Sequence, residues 1–440
     1  MDGTGIARGF VEREGGSIWT NPDDAGSTAG GWGGIRTHGE REPTAVFKTA
    51  ALNHSATHPG ATALVRTGPL VQAVRRAESQ SRAGYGIRGA YQGASVKRIV
   101  WLLAAALSFA SPQAASAQSG GLSADGFRAW LPSLRAQAEA EGVSQRTIDS
   151  VFPSLAFSAR TIELDQGQPG GQPGSNATPP FAPYRQQHVT PALIAGGARR
   201  YAANLTGLME IGRRYGVQPS VLVAIWGHET SYGAVTGSFD LLSSLATLAY
   251  EGRRRELFAS EFIAGLKMLD RGVPRAMLKG SWAGATGYPQ FLPSTWLRVA
   301  VDADGDGQAN IWTSQVDALA SIANYLHYAG WRPNVPWGFA VTVPAGFDRS
   351  GLASRIVSPR CPRVHQRLSR WMTIAEWRRL GVVAQSGAWP RDGEMASLLE
   401  PDGPGATAYL LTNNYRVILD YNCSNFYALS VGLLADAVAR

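Results

Sequence analysis

The segment VLVAIWGHETSYG, Val221 to Gly233, predicts an apolar helix that is followed at once by an ionisable carboxyl, Glu229. Pro219 and Ser220 precede the segment and favour the first turn of a helix. A carboxyl held against apolar walls loses solvation of its charged form, so we expect the pKa of Glu229 to be raised toward neutral pH. A glutamate on the solvated side of an amphipathic helix is the commoner alternative.

A second segment, KGSWAGATGYPQFLPSTW from Lys279 to Trp296, interleaves glycine and serine with Trp, Tyr, Gln and Phe. Aromatic faces stack on the C–H surfaces of sugars, and amide or hydroxyl groups bind ring hydroxyls. The segment therefore predicts the lining of a carbohydrate groove. A glycine-rich turn in a helical protein is the alternative.

A third segment, DADGDGQANIW from Asp302 to Trp312, matches the first half of a calcium-binding loop. Its aspartates alternate, and Gly307 stands where such loops make a sharp turn. Thr313 occupies loop position 12, where a bidentate glutamate is usual, so Asp317 would have to close the site from the next helix. An Asp/Gly surface turn is the alternative.

The sequence on either side of these three segments shows mostly the apolar spacing of helices. Residues 118–183 predict an N-terminal helical region followed by a Gly/Pro/Gln-rich loop, and residues 184–335 predict a helical core. Residues 336–440 are richer in β-formers and predict a mixed part that completes the groove, with a last helix from Phe426 to Val438. The expected fold class is α+β, predominantly α-helical.

The first 95 residues show no apolar period of 2 or 3.6, and they predict an unstructured or spurious extension. Their stretch from Gly33 to Gly60 resembles a recurring spurious translation of non-coding DNA. We therefore exclude this extension from the functional argument.

Residues 96–117 read as a secretory signal peptide. Two basic residues precede an apolar run, Ile99 to Ala110, and Ala115-Ser116-Ala117 supplies the small-x-small pattern of a cleavage site. The run is shorter than the ~20 residues that span a bilayer, so we expect no integral membrane segment in the mature chain. Translation would then start at Val96, and the protein would be exported.

The net charge and the positions of the two cysteines argue against nucleic-acid binding and against a lipid anchor. Of the formal net charge of +8, only +4 lies after residue 117, where 29 Lys and Arg face 25 Asp and Glu, which is too mild to indicate nucleic-acid binding. Neither cysteine follows the signal directly, so a lipid anchor is not indicated. Cys361 and Cys423 are compatible with a disulfide and equally with two buried thiols.

The segments WGHETSYG, KGSWAGATGYPQFLPS and DADGDGQANIW, with the ending DYNCSNFYALSV, occur in the order found in the B-type lytic murein transglycosylases. The chain resembles this family from about Ala124 to Ala437. The resemblance implies a lysozyme-like core with a structural Ca²⁺ in the added loop and no organic cofactor. It also implies a soluble periplasmic enzyme that acts on peptidoglycan glycan strands, alongside cell-wall synthesis proteins.

Within that resemblance, the chain would cleave the β-1,4 bond between N-acetylmuramic acid and N-acetylglucosamine without water, leaving a 1,6-anhydro end. Glu229 falls on the position of the single acid/base. The substrate-binding positions fall on Tyr184, Ser281, Gln290, Tyr325, Tyr421, Asn422 and Tyr427. The calcium positions fall on Asp302, Asp304, Asp306, Gln308 and Asp317.

Two departures from the family pattern affect these assignments. Thr286 stands where a methionine is expected, and the chain between Trp312 and Asp317 is one residue longer than the closest pattern. Two other functions stay open. Asp240 could be a second catalytic carboxylate, which would make the protein a hydrolytic muramidase, or it could be a helix cap. A non-catalytic peptidoglycan-binding protein is the third alternative.

Overall fold

The computed structural model describes residues 121–167, 179–356, 358, 361, 364–385 and 389–440. The predictions for residues 1–95 and 96–117, and much of the loop within 118–183, lie outside these described residues. From Leu122 onward, the described chain falls within one compact unit. None of its helices is both long and apolar enough to cross a bilayer.

Eleven helices of the described chain precede the main sheet, and several begin at a side-chain cap. Ser123, Ser144, Ser158, Thr190 and Ser314 each accept a hydrogen bond from a backbone N–H of the following first turn. The helices are α1 (Ala124–Ala140), α2 (Gln145–Val151), α3 (Ala159–Gln166), α4 (Phe181–His188), α5 (Pro191–Ala203), α6 (Leu205–Tyr215), α7 (Pro219–Thr230), α8 (Leu241–Glu251), α9 (Arg255–Asp270), α10 (Pro293–Val299) and α11 (Gln315–Tyr328).

Short strands and a five-stranded antiparallel sheet complete the secondary structure. Strands β1 (Phe239–Asp240) and β2 (Lys279–Gly280) pair beside the helical core. The larger sheet has the order β4-β6-β7-β3-β5. Its strands are β3 (Gly338–Thr342), β4 (Met372–Thr373), β5 (Val383–Ala384), β6 (Met395–Leu399) and β7 (Ala408–Leu411), and helix α12 (Ile374–Arg379) lies between β4 and β5.

The sheet has its own small hydrophobic cluster, which includes Val341, Trp377 and Leu410. The last two helices, α13 (Asn413–Tyr421) and α14 (Asn425–Val438), leave the sheet and join the main helical cluster. There α14 packs against α7. Residues 336–440 therefore contribute both a sheet layer and two core helices, and the α+β, predominantly helical fold class is confirmed.

A disulfide between Cys361 and Cys423 decides between the two states left open for the cysteines. Their Cα atoms are 5.4 Å apart, and the bond closes a sequence separation of 62 residues. Because Cys423 lies in the turn between α13 and α14, the bridge anchors this turn to the segment that precedes β4.

Candidate active site

Glu229 lies in the last turn of α7, a helix that is buried on almost every side. Residues 221–228 are all buried, whereas Glu229 is only half-buried. The chain then turns sharply, because Ser231, Tyr232 and Gly233 all have left-handed backbone conformations, with φ of 49°, 64° and 90°. The Thr230 hydroxyl stabilises this turn by accepting the Gly233 N–H at 3.1 Å. The carboxyl is thus presented at the end of a rigid apolar helix.

Tyr427 provides a direct partner for this carboxyl. Its hydroxyl donates to Glu229 Oε1 at 2.7 Å, and the tyrosine is 1% exposed. It can reach Glu229 because it lies in the first turn of α14, the helix that packs along α7. One oxygen of the carboxylate is therefore held by a buried phenol.

The surroundings of Glu229 are phenolic. Burial, and then the negative charge of Glu229, raise the pKa of Tyr184, Tyr421 and Tyr427 above the ordinary tyrosine value. All three hydroxyls therefore stay protonated at neutral pH. The structure thus brings Tyr184 from α4, Tyr421 from α13 and Tyr427 from α14 to the end of α7. All three were predicted as substrate-binding residues.

His228 and Ser430 are site residues that the sequence reasoning missed. His228 Nε2 lies 3.0 Å from Ser430 Oγ, and its ring meets the Tyr427 ring edge-on at 4.8 Å. Burial, and then the charge of His188, lower the pKa of His228 to about 3, so the imidazole is neutral. The position next to Glu229 was the only available signal, and it could not reveal contacts with a helix 200 residues later.

His188 extends this group toward the groove. Its ring stacks on Tyr184 with the centroids 3.7 Å apart, and it lies parallel to His228 at 5.7 Å. The Ser430 side chain in turn offsets part of the rise in the Tyr184 pKa. His188, which was also not predicted, therefore helps to fix the orientation of Tyr184.

Ser281 and Gln290 shape the segment that follows β2. The Ser281 side chain has no exposed surface, and its hydroxyl accepts the N–H groups of Ala283 and Ala285 at 3.3 and 3.0 Å. Gln290 has a φ of 51°, and its Nε2 donates to the carbonyls of Thr236 and Gly287. Direct contact of either residue with a sugar stays a prediction.

Thr286, the departure from the expected methionine, has polar partners that a methionine could not have. Its hydroxyl donates to the Lys279 carbonyl at 2.6 Å and accepts the Trp312 indole N–H at 2.7 Å. The threonine is fully buried. The substitution therefore joins the groove segment to the end of the acidic loop.

Tyr325, Tyr421 and Asn422 lie together at the end of α13. The Tyr325 hydroxyl donates to the Asp420 carbonyl at 2.7 Å, and the Tyr421 hydroxyl donates to the Pro289 carbonyl at 2.6 Å. Tyr421 thereby ties α13 to the groove segment. Asn422 is 5% exposed, and its Oδ1 has no hydrogen-bond partner among the described residues. Buried acceptors are rarely unpaired, so this oxygen lacks a donor that such a position normally has.

Asp240 has structural partners. Its Oδ1 accepts the Ser243 N–H at 2.8 Å as the N-cap of α8, and its Oδ2 pairs with Arg275 at 2.6 Å. The interpretation of Asp240 as a helix cap is therefore confirmed.

The acidic loop brings four carboxylates together. Asp302, Asp304, Asp306 and Asp317 each offer an oxygen, and these atoms all lie within 4.8 Å of one another. Asp317 is fully buried and accepts the N–H groups of Ala303 and Asn310 at 2.8 Å, so the longer connection still returns this side chain to the loop.

This donor set fits a calcium ion. Hard carboxylate oxygens at such spacing are the ligands that Ca²⁺ prefers, and Gly305 and Gly307 supply left-handed turns with φ of 80° and 93°. Burial raises the pKa of Asp317, and the charge of Asp304 adds to this effect, as expected for carboxylates held close together. The Gln308 side chain is exposed, so its contribution would be its backbone carbonyl.

Comparisons with known proteins agree with this geometry. The family described as "Transglycosylase SLT domain" matches residues 126–436. The membrane-bound lytic murein transglycosylase B of Escherichia coli K12 is 34% identical over 276 residues, which cover 61% of this chain and 71% of that protein.

Solved structures are similar as well. SltB3 of Pseudomonas aeruginosa, solved with NAG-anhNAM-pentapeptide and with NAG-NAM-pentapeptide, has a TM-score of 0.64 and 41% identity, covering 71% of this chain and 79% of that one. E. coli Slt35 in complex with calcium has a TM-score of 0.57 and 28% identity, covering 72% of this chain and 93% of that one. The chain belongs to the SLT-domain lytic transglycosylases of the B type, enzymes of lysozyme-like fold that act on peptidoglycan.

Proposed function

We propose that this transglycosylase cleaves the β-1,4 bond between N-acetylmuramic acid and N-acetylglucosamine without water, with Glu229 as its single acid/base. The observation that supports this most directly is the half-buried Glu229 carboxyl, held at 2.7 Å by the buried Tyr427 hydroxyl at the end of α7. The bonding of Asp240 to Ser243 and Arg275 argues against that residue as a second catalytic carboxylate.

The chemistry needs two proton transfers at one carboxyl, first from Glu229 to the substrate and then from the substrate to Glu229. Protonated Glu229 gives its proton to the glycosidic oxygen as the bond to muramic C1 breaks, and the departing N-acetylglucosamine keeps that proton as its hydroxyl. The N-acetyl carbonyl of the muramic residue can support the positive charge at C1. The muramic C6 hydroxyl then attacks C1, and its proton returns to the Glu229 carboxylate. The products are a 1,6-anhydro end and a regenerated acid.

The predicted groove residues would position the sugar rather than transfer protons. Tyr427 fixes one carboxylate oxygen, and the unpaired Oδ1 of Asn422 would accept a donor from the sugar, such as its N-acetyl N–H. Tyr184 presents a phenol whose pKa is raised, so it remains protonated during the reaction, whereas the Tyr421 hydroxyl donates to the Pro289 carbonyl and would hold the groove segment. Ser281, Gln290 and Tyr325 would hold the groove segment and α13 in place.

We also propose a structural Ca²⁺ held by Asp302, Asp304, Asp306 and Asp317 with the Gln308 carbonyl. The ion would neutralise the clustered carboxylates and stabilise the connection between α10 and α11. The complex of Slt35 with calcium supports this assignment. Export to the periplasm, as residues 96–117 predict, would place the enzyme next to its glycan strands.

The deciding experiment incubates the protein with purified sacculi and identifies the products by mass spectrometry. We expect anhydro-muropeptides from the wild type and none above background from Glu229→Gln, with Glu256→Gln as an exposed Glu-to-Gln control on α9. Reducing muramic ends would instead indicate a hydrolytic muramidase. Binding without any product from the wild type would indicate a non-catalytic peptidoglycan-binding protein.

A further inference from the structure

Helix α4, which brings two site residues to the end of α7, begins without a cap from its own N-cap residue. Pro180 occupies that position and makes no side-chain hydrogen bond to the first turn. Because Pro180 and Pro183 have no backbone N–H, the unpaired donors at the start of α4 are the N–H groups of Phe181 and Ala182. These two groups need an acceptor from another part of the chain.

Asp402, in the connection between β6 and β7, supplies this acceptor. Its Oδ1 accepts the Phe181 N–H at 2.6 Å and the Ala182 N–H at 3.0 Å, across sequence separations of 221 and 220 residues. A carboxylate at this end of a helix is also favoured by the helix dipole. One oxygen of Asp402 therefore binds both free N–H groups of the first turn.

The turn that carries Asp402 is itself held in place. The Gly403 N–H donates to the Glu400 carbonyl at 3.2 Å, and Pro401 between them restricts the backbone. The Glu400 carboxylate is held by Arg349, whose Nε and Nη2 donate to its two oxygens, each at 2.7 Å. The five-stranded sheet thus presents the Asp402 carboxylate to α4 from an anchored turn.

The position of α4 decides where Tyr184 lies in the site. The buried Phe181 ring and the Tyr184 ring each pack on the Phe426 ring of α14, with centroids 5.4 Å apart. Tyr184 also stacks on His188, whose ring lies parallel to the imidazole that immediately precedes Glu229. Because Tyr184 is only half-buried, part of its side chain is open to a ligand.

We propose that Asp402 is a positioning residue for glycan binding, because its cap on α4 holds Tyr184 where the sugar meets it. Asp402 acts through α4 and transfers no proton. This inference rests on the proposed function, since it needs a glycan beside Tyr184. It also gives the sheet a part in substrate binding, through the turn between β6 and β7.

The test compares Asp402→Ala with the wild type on soluble GlcNAc–MurNAc oligosaccharides that carry peptide stems. Hydrogen exchange of the α4 backbone amides should quicken about fivefold, the usual effect of a lost helix cap. KM should rise about threefold, because a site whose α4 is displaced part of the time binds with lower apparent affinity, and kcat should stay within about twofold. Asp402→Asn should keep most of the affinity, because the amide oxygen still accepts both N–H groups.

Asp348→Ala is the matched control, because Asp348 also accepts a backbone N–H, that of Ser350 at 2.8 Å, but in its own local turn. It should leave KM unchanged. In protein that already carries Tyr184→Phe, Asp402→Ala should raise KM less than about 1.5-fold, because the contact that it would displace is already lost.

The inference is overturned if Asp402→Ala raises KM equally with and without Tyr184→Phe, or if it quickens exchange in α4 and leaves KM unchanged. Asp402 would then be a cap of structural value only. Products of the wild type that lack 1,6-anhydro ends would refute the proposed function instead, and the comparison of KM values would still decide the role of Asp402 in glycan binding.

Discussion

The end of α7 and the acidic loop differ in the number of carboxylates that they hold and in the surroundings of those carboxylates. Glu229 is a single carboxyl at the end of a buried helix, where its charge acts on three phenols from other helices. The loop gathers four carboxylates within 4.8 Å, and three of them are exposed. The first arrangement suits proton transfer, and the second suits a divalent cation.

The two regions also differ in how far apart their parts lie in sequence. The loop carboxylates all fall between residues 302 and 317, whereas the hydrogen bond from Tyr427 to Glu229 spans 198 residues. We therefore expect changes at Glu229 and Tyr427 to affect the rate with little effect on stability, and changes in the loop to do the reverse.

The largest effect is expected from Glu229→Gln. The amide keeps the shape of the side chain but cannot supply a proton, so the rate of sacculus cleavage should fall at least ~100-fold. The melting temperature should stay close to that of the wild type. Release of anhydro-muropeptides measures the first quantity, and activity within a few-fold of the wild type would remove Glu229 from its assigned role.

Tyr427→Phe should have the next largest effect. It removes the donor to Glu229 Oε1 and keeps the buried ring, so kcat should fall about 10- to 100-fold, in line with a hydrogen bond to a charged group. KM should change little, because the hydroxyl acts on the carboxyl. Tyr328→Phe, at an exposed tyrosine, is the control. An equal loss in kcat and in glycan affinity would indicate a sugar contact instead.

The same contrast explains what the sequence could predict. The loop carries its spacing and glycines in one local segment, so its four aspartates could be named and do converge. The helical core followed from apolar periodicity. The end of an apolar run drew attention to Glu229, but only the family resemblance assigned it the acid/base role. The roles of His228, His188 and Ser430 depend on how α4, α7 and α14 pack, which no local pattern encodes. The burial of Ser281 likewise follows from tertiary packing.

Calcium should change stability rather than chemistry. An ion that binds the folded loop and hardly the unfolded chain should add about 2.7 kcal/mol at a hundred times its Kd. At ~2.1 cal/mol/K of unfolding entropy per residue, this is about 4 °C in Tm for a folded unit of this size. Chelated enzyme should keep its cleavage rate at temperatures where it remains folded. Magnesium should substitute poorly, because it requires a tighter octahedral shell.

Asp304→Asn should remove most of the calcium-dependent shift in Tm. Asp348→Asn is the control, since Asp348 makes a similar local turn by accepting the Ser350 N–H at 2.8 Å but has no place in the acidic cluster. A metal-stripped wild type whose Tm does not respond to added calcium would mean that the loop is only an Asp/Gly turn.

The last effect concerns His228 and the pH dependence of stability. Its pKa is about 3 in the folded protein and close to the ordinary value of about 6.5 in the unfolded chain. Between these values the unfolded chain binds the proton and the folded protein does not, so the free energy of unfolding should fall as pH drops below 6.5, by up to ~1.4 kcal/mol per pH unit. Above pH 7 this residue should not contribute to the pH dependence of the free energy of unfolding.

His228→Gln keeps a polar partner for Ser430 but cannot titrate. It should therefore flatten the decline in the free energy of unfolding between pH 6 and 4.5, measured by urea unfolding. His327→Gln, at an exposed position, is the control and should not change the decline. Parallel curves for wild type and His228→Gln over that range would mean that the imidazole is not held neutral beside Tyr427.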